Sequence, residues 1–114
     1  AVSTAAVACL YNAGEYDSIM AESCLKHVYG QFRNSRGAWS GGHGYYTHLY
    51  GAQAFYIASD DHWDDYFPKA RDHFMKQQST DGSWTGDGIG KTYGTSIALI
   101  VLQLPFKFLP IYQR

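Results

Sequence analysis

The chain has 114 residues, of which 46% are hydrophobic, 17% aromatic and only 17% charged. Nine Lys and Arg against ten Asp and Glu leave a net charge of −1. That balance argues against a nucleic-acid module held by phosphate contacts and gives no footing for a polybasic membrane anchor.

In chain order, Thr4 to Ala13 (TAAVACLYNA) is apolar nearly all round, as a buried helix should be, and Gly14 suits its C-terminal stop. Asp17 to Phe32 follows as an outer helix, with Ala21, Leu25, Val28 and Phe32 forming one apolar stripe. Tyr46 to Ala58 (YTHLYGAQAFYIA) reads as a second inner helix. Ser59 to Asp65 reads as an acidic loop, with Asp64 and Asp65 placed to cap the next helix and Pro68 in its first turn. That outer helix carries Phe67, Ala70 and Phe74 on its stripe. Gly86, Gly88 and Gly90 form a flexible loop. A third inner helix starts at Thr92 or Thr95 and runs to Leu104, where Pro105 ends it. The tail, Phe106 to Arg114 with Pro110 inside it, is expected as an extended or single-turn segment. The longest apolar run, Ile97 to Leu102, is far short of the roughly 20 residues a membrane span needs. The two cysteines, Cys9 and Cys24, lack metal-type spacing and are expected as buried thiols.

These elements repeat. Trp39 and Trp84 lie 45 residues apart, each two residues after a glycine, and Thr4, Thr47 and Thr95 open successive apolar stretches. The pattern predicts one all-α domain, residues 1–114, in hairpin units of about 1–42, 43–90 and 91–114. Ala1 opens on helix-like sequence, so the segment is expected to belong to a longer chain.

The stretch Lys76-Gln77-Gln78-Ser79-Thr80-Asp81-Gly82-Ser83-Trp84 resembles the QW motif of the prenyltransferase and squalene-oxidase repeat families, which include the squalene–hopene cyclases. The earlier copy, Gln31 to Trp39, departs by two extra residues before its glycine. Tyr93 to Gln103 is similar to the inner helix that follows such a motif, and Leu109 to Arg114 looks like the end of squalene-cyclase-like repeat proteins. The resemblance covers almost the whole chain. It implies part of an α/α toroid, in its C-terminal portion, with inner helices ringing a cavity that takes an apolar, isoprenoid-type ligand. Two and a half hairpins do not close a ring, so the missing portion or self-association is expected to complete it. The alternative is a noncatalytic toroid repeat domain that binds a protein or a ligand.

The family's D-x-D-D proton donor is absent here, and the histidines lack the cysteine partner of a zinc triad. Asp60 to Asp65 formally contains D-D-x-x-D, but its place between helices favours a capping role over a metal. No catalytic residue, metal or cofactor is assigned. A glycan-directed reading needs carboxylates on inner helices, and those stretches carry none. The aromatics of the inner helices, Tyr45, Tyr46, Tyr50, Phe55, Tyr56 and Tyr93, either pack the core or line the cavity. The candidate ligand-binding set is His48, Tyr50, Gln53, Tyr46 and Tyr93: aromatic faces with a few polar groups, suited to a greasy ligand. In the motif itself, Trp84 needs a partner for its indole N–H, Gln78 can bond backbone at a helix end, and Gly82 allows the return.

Overall fold

The computed structural model describes residues 1–34 and 36–108, and among them every regular element is helical. Helices α1 (Val2–Asn12), α2 (Ile19–Asn34), α3 (Arg36–Ser40), α4 (Gly44–Ala58), α5 (Asp60–Gln77) and α6 (Lys91–Gln103) are followed by one 3-10 turn, Leu104–Phe106. The expected tail beyond residue 108 lies outside the described residues.

α4 is the hub. α1 and α6 both pack on it rather than on each other, α2 packs on α1, and α5 packs on α4. The order is therefore an inner row, α1–α4–α6, backed by two outer helices. The buried positions follow from helical spacing. Thr4, Val7, Ala8 and Tyr11 on α1 have the same register as Gly94, Ile97, Ala98 and Val101 on α6. Two of the repeated threonines hide their hydroxyls in their own turn. Thr4 Oγ1 donates to the Ala1 carbonyl at 2.6 Å and Thr47 Oγ1 to the His43 carbonyl at 2.7 Å, so both can be buried without an orphaned group.

Helix ends are set by local chemistry. Gly14 takes φ +84 after α1, its N–H meets the Tyr11 carbonyl, and the Glu15 N–H meets the Leu10 carbonyl. That is the paired Schellman arrangement a glycine permits. The expected loop at Ser59 to Asp65 does not exist. Ser59 is itself the N-cap of α5, with Oγ accepting from the His62 N–H, and Asp60 and Asp61 occupy the first turn. Pro68 consequently lies inside α5, exposed, rather than at its start. The helix survives the missing backbone donor because it is anchored on both sides of Pro68: Trp63 and Tyr66 before it, Ala70 and Phe74 after it, all buried on one stripe. Phe67 is half-buried beside that stripe, stacked on Trp63 at 4.8 Å. Asp65, expected as a cap, instead accepts from Tyr29 Oη at 2.7 Å and from Lys69 Nζ, tying α2 to α5. The Lys69 bond, then the Tyr29 bond, holds its carboxyl below the ordinary range.

The expected burial of the cysteines fails: Cys9 is exposed and Cys24 half-buried, and both are free thiols. Cys9 lies on the α1 stripe opposite Thr4, Val7 and Tyr11, a face the apolar composition of the helix does not distinguish.

Both tryptophans satisfy their indoles in the same way. Trp39 Nε1 donates to the Phe32 carbonyl of α2 at 2.9 Å, and Trp84 Nε1 to the Phe74 carbonyl of α5 at 2.7 Å. In the second corner Gln78 Nε2 donates to the Gly82 carbonyl of the turn at 2.9 Å, not to a group at a helix end, and Gly82 takes φ +83.

Candidate functional site

α1, α5, α3 and α6 pack on α4 and leave its less buried positions, Tyr46, Leu49, Tyr50 and Ile57, towards one side. On that side Tyr46, Tyr50, Gln53 and Ile57 follow one another at four, three and four residues, which places them on one face. Tyr46 and Tyr50 pair edge to face with centroids 4.9 Å apart. The flanking inner helices each keep an uncovered stripe as well, Val2–Ala6–Cys9 on α1 and Thr92–Ser96–Leu99 on α6. Val2 is 84% exposed, Leu99 54% and Tyr46 37%. Each helix of the inner row therefore keeps an exposed stripe, with aliphatic, tyrosine and hydroxyl side chains among the three.

The five candidate ligand-binding residues do not act as one set. Tyr46 and Tyr50 stand on the open face. Gln53 shares their side of α4 but is buried, and its Nε2 is spent on the Leu49 carbonyl at 2.7 Å. Tyr93 lies at the seam between α4 and α6, where its hydroxyl donates to Asp87 Oδ2 at 3.1 Å. Desolvation, reinforced by that carboxylate, pushes Tyr93 up to about 12.

His48 belongs elsewhere. It is two residues from both Tyr46 and Tyr50, hence about 160° around the helix from each. It faces the outer helices and is fully buried. Its Nδ1 lies 2.8 Å from Tyr66 Oη, while Nε2 has no hydrogen-bond partner among the described residues. Rings enclose it: Trp39 at 4.8 Å, Phe32 at 5.2 Å, and His73 and Phe74 each at 5.3 Å. Burial, aided by the neighbouring His73, holds the imidazole down to about 3, so it is neutral near pH 7. This histidine is a core group and cannot touch a ligand on the open face. Tyr45, Phe55 and Tyr56 are core residues too.

The acidic run is divided in the same way. Asp60, Asp61 and Asp64 are exposed on α5, while Asp65 faces Tyr29 and Lys69. Among the described residues no three His, Cys, Asp or Glu side chains converge as a metal site would need.

Sequence reasoning missed Asp87. The glycine run that holds it is a pinned turn rather than a flexible loop. Asp87 Oδ1 accepts from the Tyr45 N–H at 3.1 Å, and Oδ2 from the Tyr46 N–H at 3.3 Å and from Tyr93 Oη. It thus caps α4 from 42 residues away and fixes where α6 begins relative to α4. An aspartate between glycines ahead of a helix was the available signal; its partner helix was not legible.

No helix among the described residues is long and apolar enough to cross a membrane. No family model, curated protein or solved structure matches this chain.

Proposed function

We propose that the chain is a run of helical hairpins from an α/α toroid, and that the open face of its inner row binds an apolar, isoprenoid-type ligand. The observation that carries this reading is the Tyr46–Tyr50 pair on the middle inner helix, with exposed stripes on both neighbouring helices that include Val2, Ala6 and Leu99. Apolar area removed from water is worth about 25 cal/mol per Å², so such a surface gains most from a long hydrocarbon laid across it. Tyrosine faces add favourable contact with polarised or cationic carbon. The two tryptophan corners, 45 residues apart and bonded alike, support the hairpin-array part of the proposal.

The role is binding rather than chemistry within these residues. α1, α4 and α6 carry no Asp or Glu, so nothing on the inner row can protonate an alkene or an epoxide. That favours the noncatalytic form of the reading for this segment.

Titration of the chain with farnesol, followed by isothermal calorimetry, tests the proposal. Saturable binding is expected, with Tyr50→Ala weakening it about tenfold, which corresponds to about 1.4 kcal/mol. Absence of saturable binding, or equal affinity in the Tyr50→Ala variant, would overturn it.

A further inference from the structure

A second cavity lies at the end of the helices, away from the open face. It is a cleft of about 430 Å³ between α3, the start of α4, the end of α5 and the glycine turn. That volume falls in the range of small-molecule sites. Gly41, Gly44, Gly86 and Gly88 leave backbone rather than side chains on part of its wall.

The polar groups of the cleft are positioned by bonds already made. Tyr45 Oη donates to Gln77 Oε1 at 2.8 Å. That bond fixes the amide and leaves both Gln77 Nε2 hydrogens without a partner among the described residues. Asp87 is held by two backbone N–H groups and the Tyr93 hydroxyl, and a carboxylate can accept one bond more. Ser40 Oγ donates to the Arg36 carbonyl and keeps its lone pairs. His73 is half-buried, makes no hydrogen bond among the described residues, and stacks on His48 at 5.3 Å. Burial, and then Lys76, keeps its pKa low, so the neutral ring offers one donor and one acceptor. Trp39 has spent its N–H on the Phe32 carbonyl and so contributes only ring surface.

This inventory selects among ligand classes. No Lys or Arg lines the cleft and one carboxylate does, which disfavours an anion. A hydrocarbon would leave the Gln77 amide hydrogens and the His73 ring nitrogens without partners, a cost of about 1–3 kcal/mol for each such group it shuts off from water. An ammonium ion is donor-only, and would set its charge against the Gln77 amide hydrogens. A neutral ligand rich in hydroxyls fits each point, because every hydroxyl both donates and accepts. A ring with an apolar C–H face can in addition lie on Trp39. We propose that this cleft is a binding site for a neutral sugar ring of pyranose size, with Gln77, His73 and Asp87 contacting its hydroxyls and Trp39 supporting its face. The site is independent of the open face and of the ligand proposed there.

The test is two-dimensional NMR of the isotope-labelled chain, titrated separately with glucose, galactose, mannose, N-acetylglucosamine, tetramethylammonium chloride and sodium phosphate. At least one sugar should shift the Gln77 side-chain amide, the Trp39 indole and the Gly86 and Gly88 amides in a saturable way, and leave the Leu99 methyl signals in place. Gln77→Ala changes an exposed residue and should keep the folded spectrum while weakening that sugar about fivefold. Tyr50→Ala should leave sugar binding unchanged. The proposal is overturned if none of the sugars moves these signals, if tetramethylammonium or phosphate moves them instead, or if Gln77→Ala binds the sugar as the parent chain does. None of these outcomes bears on farnesol binding.

Discussion

Trp39 and Trp84 each return an indole N–H to a phenylalanine carbonyl on the preceding outer helix, yet the corners around them differ. Trp39 sits on the short helix α3, half-buried, among Phe32, His48 and His73. Trp84 lies in non-helical chain, only 3% exposed, and its backbone N–H donates to Thr95 Oγ1 at 3.0 Å. Gln78 braces the second turn, whereas Gln31 Nε2 lies 3.0 Å from His27 Nε2 on its own helix and, among the described residues, makes no bond to the first turn. What repeats is the bond from the indole to the outer helix; the glutamine and the turn around it belong to one corner only. The first corner trades turn bracing for ring packing, and the second trades ring packing for backbone closeness.

The largest expected difference concerns glycine. A Cβ on Gly94 would fall within contact distance of backbone at Trp84, Thr85 and Gly86, which cannot move without breaking the corner. A Cβ on Gly51 would meet the Phe32 ring at 2.8 Å, a side chain that has to shift against its neighbouring rings but leaves the backbone in place. Gly94→Ala should cost about 3 kcal/mol and Gly51→Ala about 1 kcal/mol, read by urea unfolding. Equal costs would erase the distinction between backbone closeness and ring packing.

The indole bond comes next. Trp84→Phe strands the Phe74 carbonyl in a buried corner and should cost about 2–3 kcal/mol, while Trp39→Phe, where water has access, should cost about 1 kcal/mol. Thermal unfolding of the two variants side by side decides it, and the reverse ranking would show that the first corner carries more of the fold.

Between pH 7 and pH 4 acid should act chiefly on the first corner, since the lowered pKa of Asp81 in the second corner brings its loss in at more acidic pH. His48 titrates near 3 when folded against an ordinary value of 6.5 when unfolded, and His73 is shifted down as well. Between those values the unfolded chain binds the extra proton, so stability falls as pH drops below about 6.5, by about 1.4 kcal/mol per pH unit for His48 once well below it. Urea midpoints from pH 7 to pH 4 should fall steeply in the parent chain and more gently in His48→Gln. The same slope in both would mean that the buried histidine is not what acid attacks.

The smallest effect separates the threonines. Thr95→Val removes the acceptor for the Trp84 N–H and should cost about 1 kcal/mol, whereas Thr47→Val removes a bond within one helical turn and should cost a few tenths. Hydrogen exchange at the Trp84 amide gives the local readout, since only Thr95→Val should speed it.

The hairpin order, the outer-helix stripes and the tryptophan corners were legible because each rests on spacing along one segment. Ala21, Val28 and Phe32 are buried where their period places them, as are Ala70 and Phe74. The start of α5 was misread because Ser59 and the aspartates after it carry two signals, a cap and a loop, and Pro68 pulled the expected start to just after Asp65, about six residues late. Of the candidate residues on α4, Tyr46 and Tyr50 are the ones that are not buried. α4 is apolar on nearly every face, so its sequence does not say which side the outer helices cover. That side is fixed by Trp39, Phe32 and Tyr66, which arrive from other helices and claim His48 for the core. Asp87 was missed for the same reason, because its partners lie at Tyr45 and Tyr46, 42 and 41 residues away.

The central claim is that an apolar ligand meets the open face of the inner row and not the aromatic core around His48. Methyl-resolved NMR during a farnesol titration tests it most directly. Val2 and Leu99, exposed on the two flanking helices, should shift and saturate, while Val28 and Val101 in the core stay still. Shifts at Val28 and Val101 with Val2 and Leu99 unmoved would place the ligand in the core and contradict the claim.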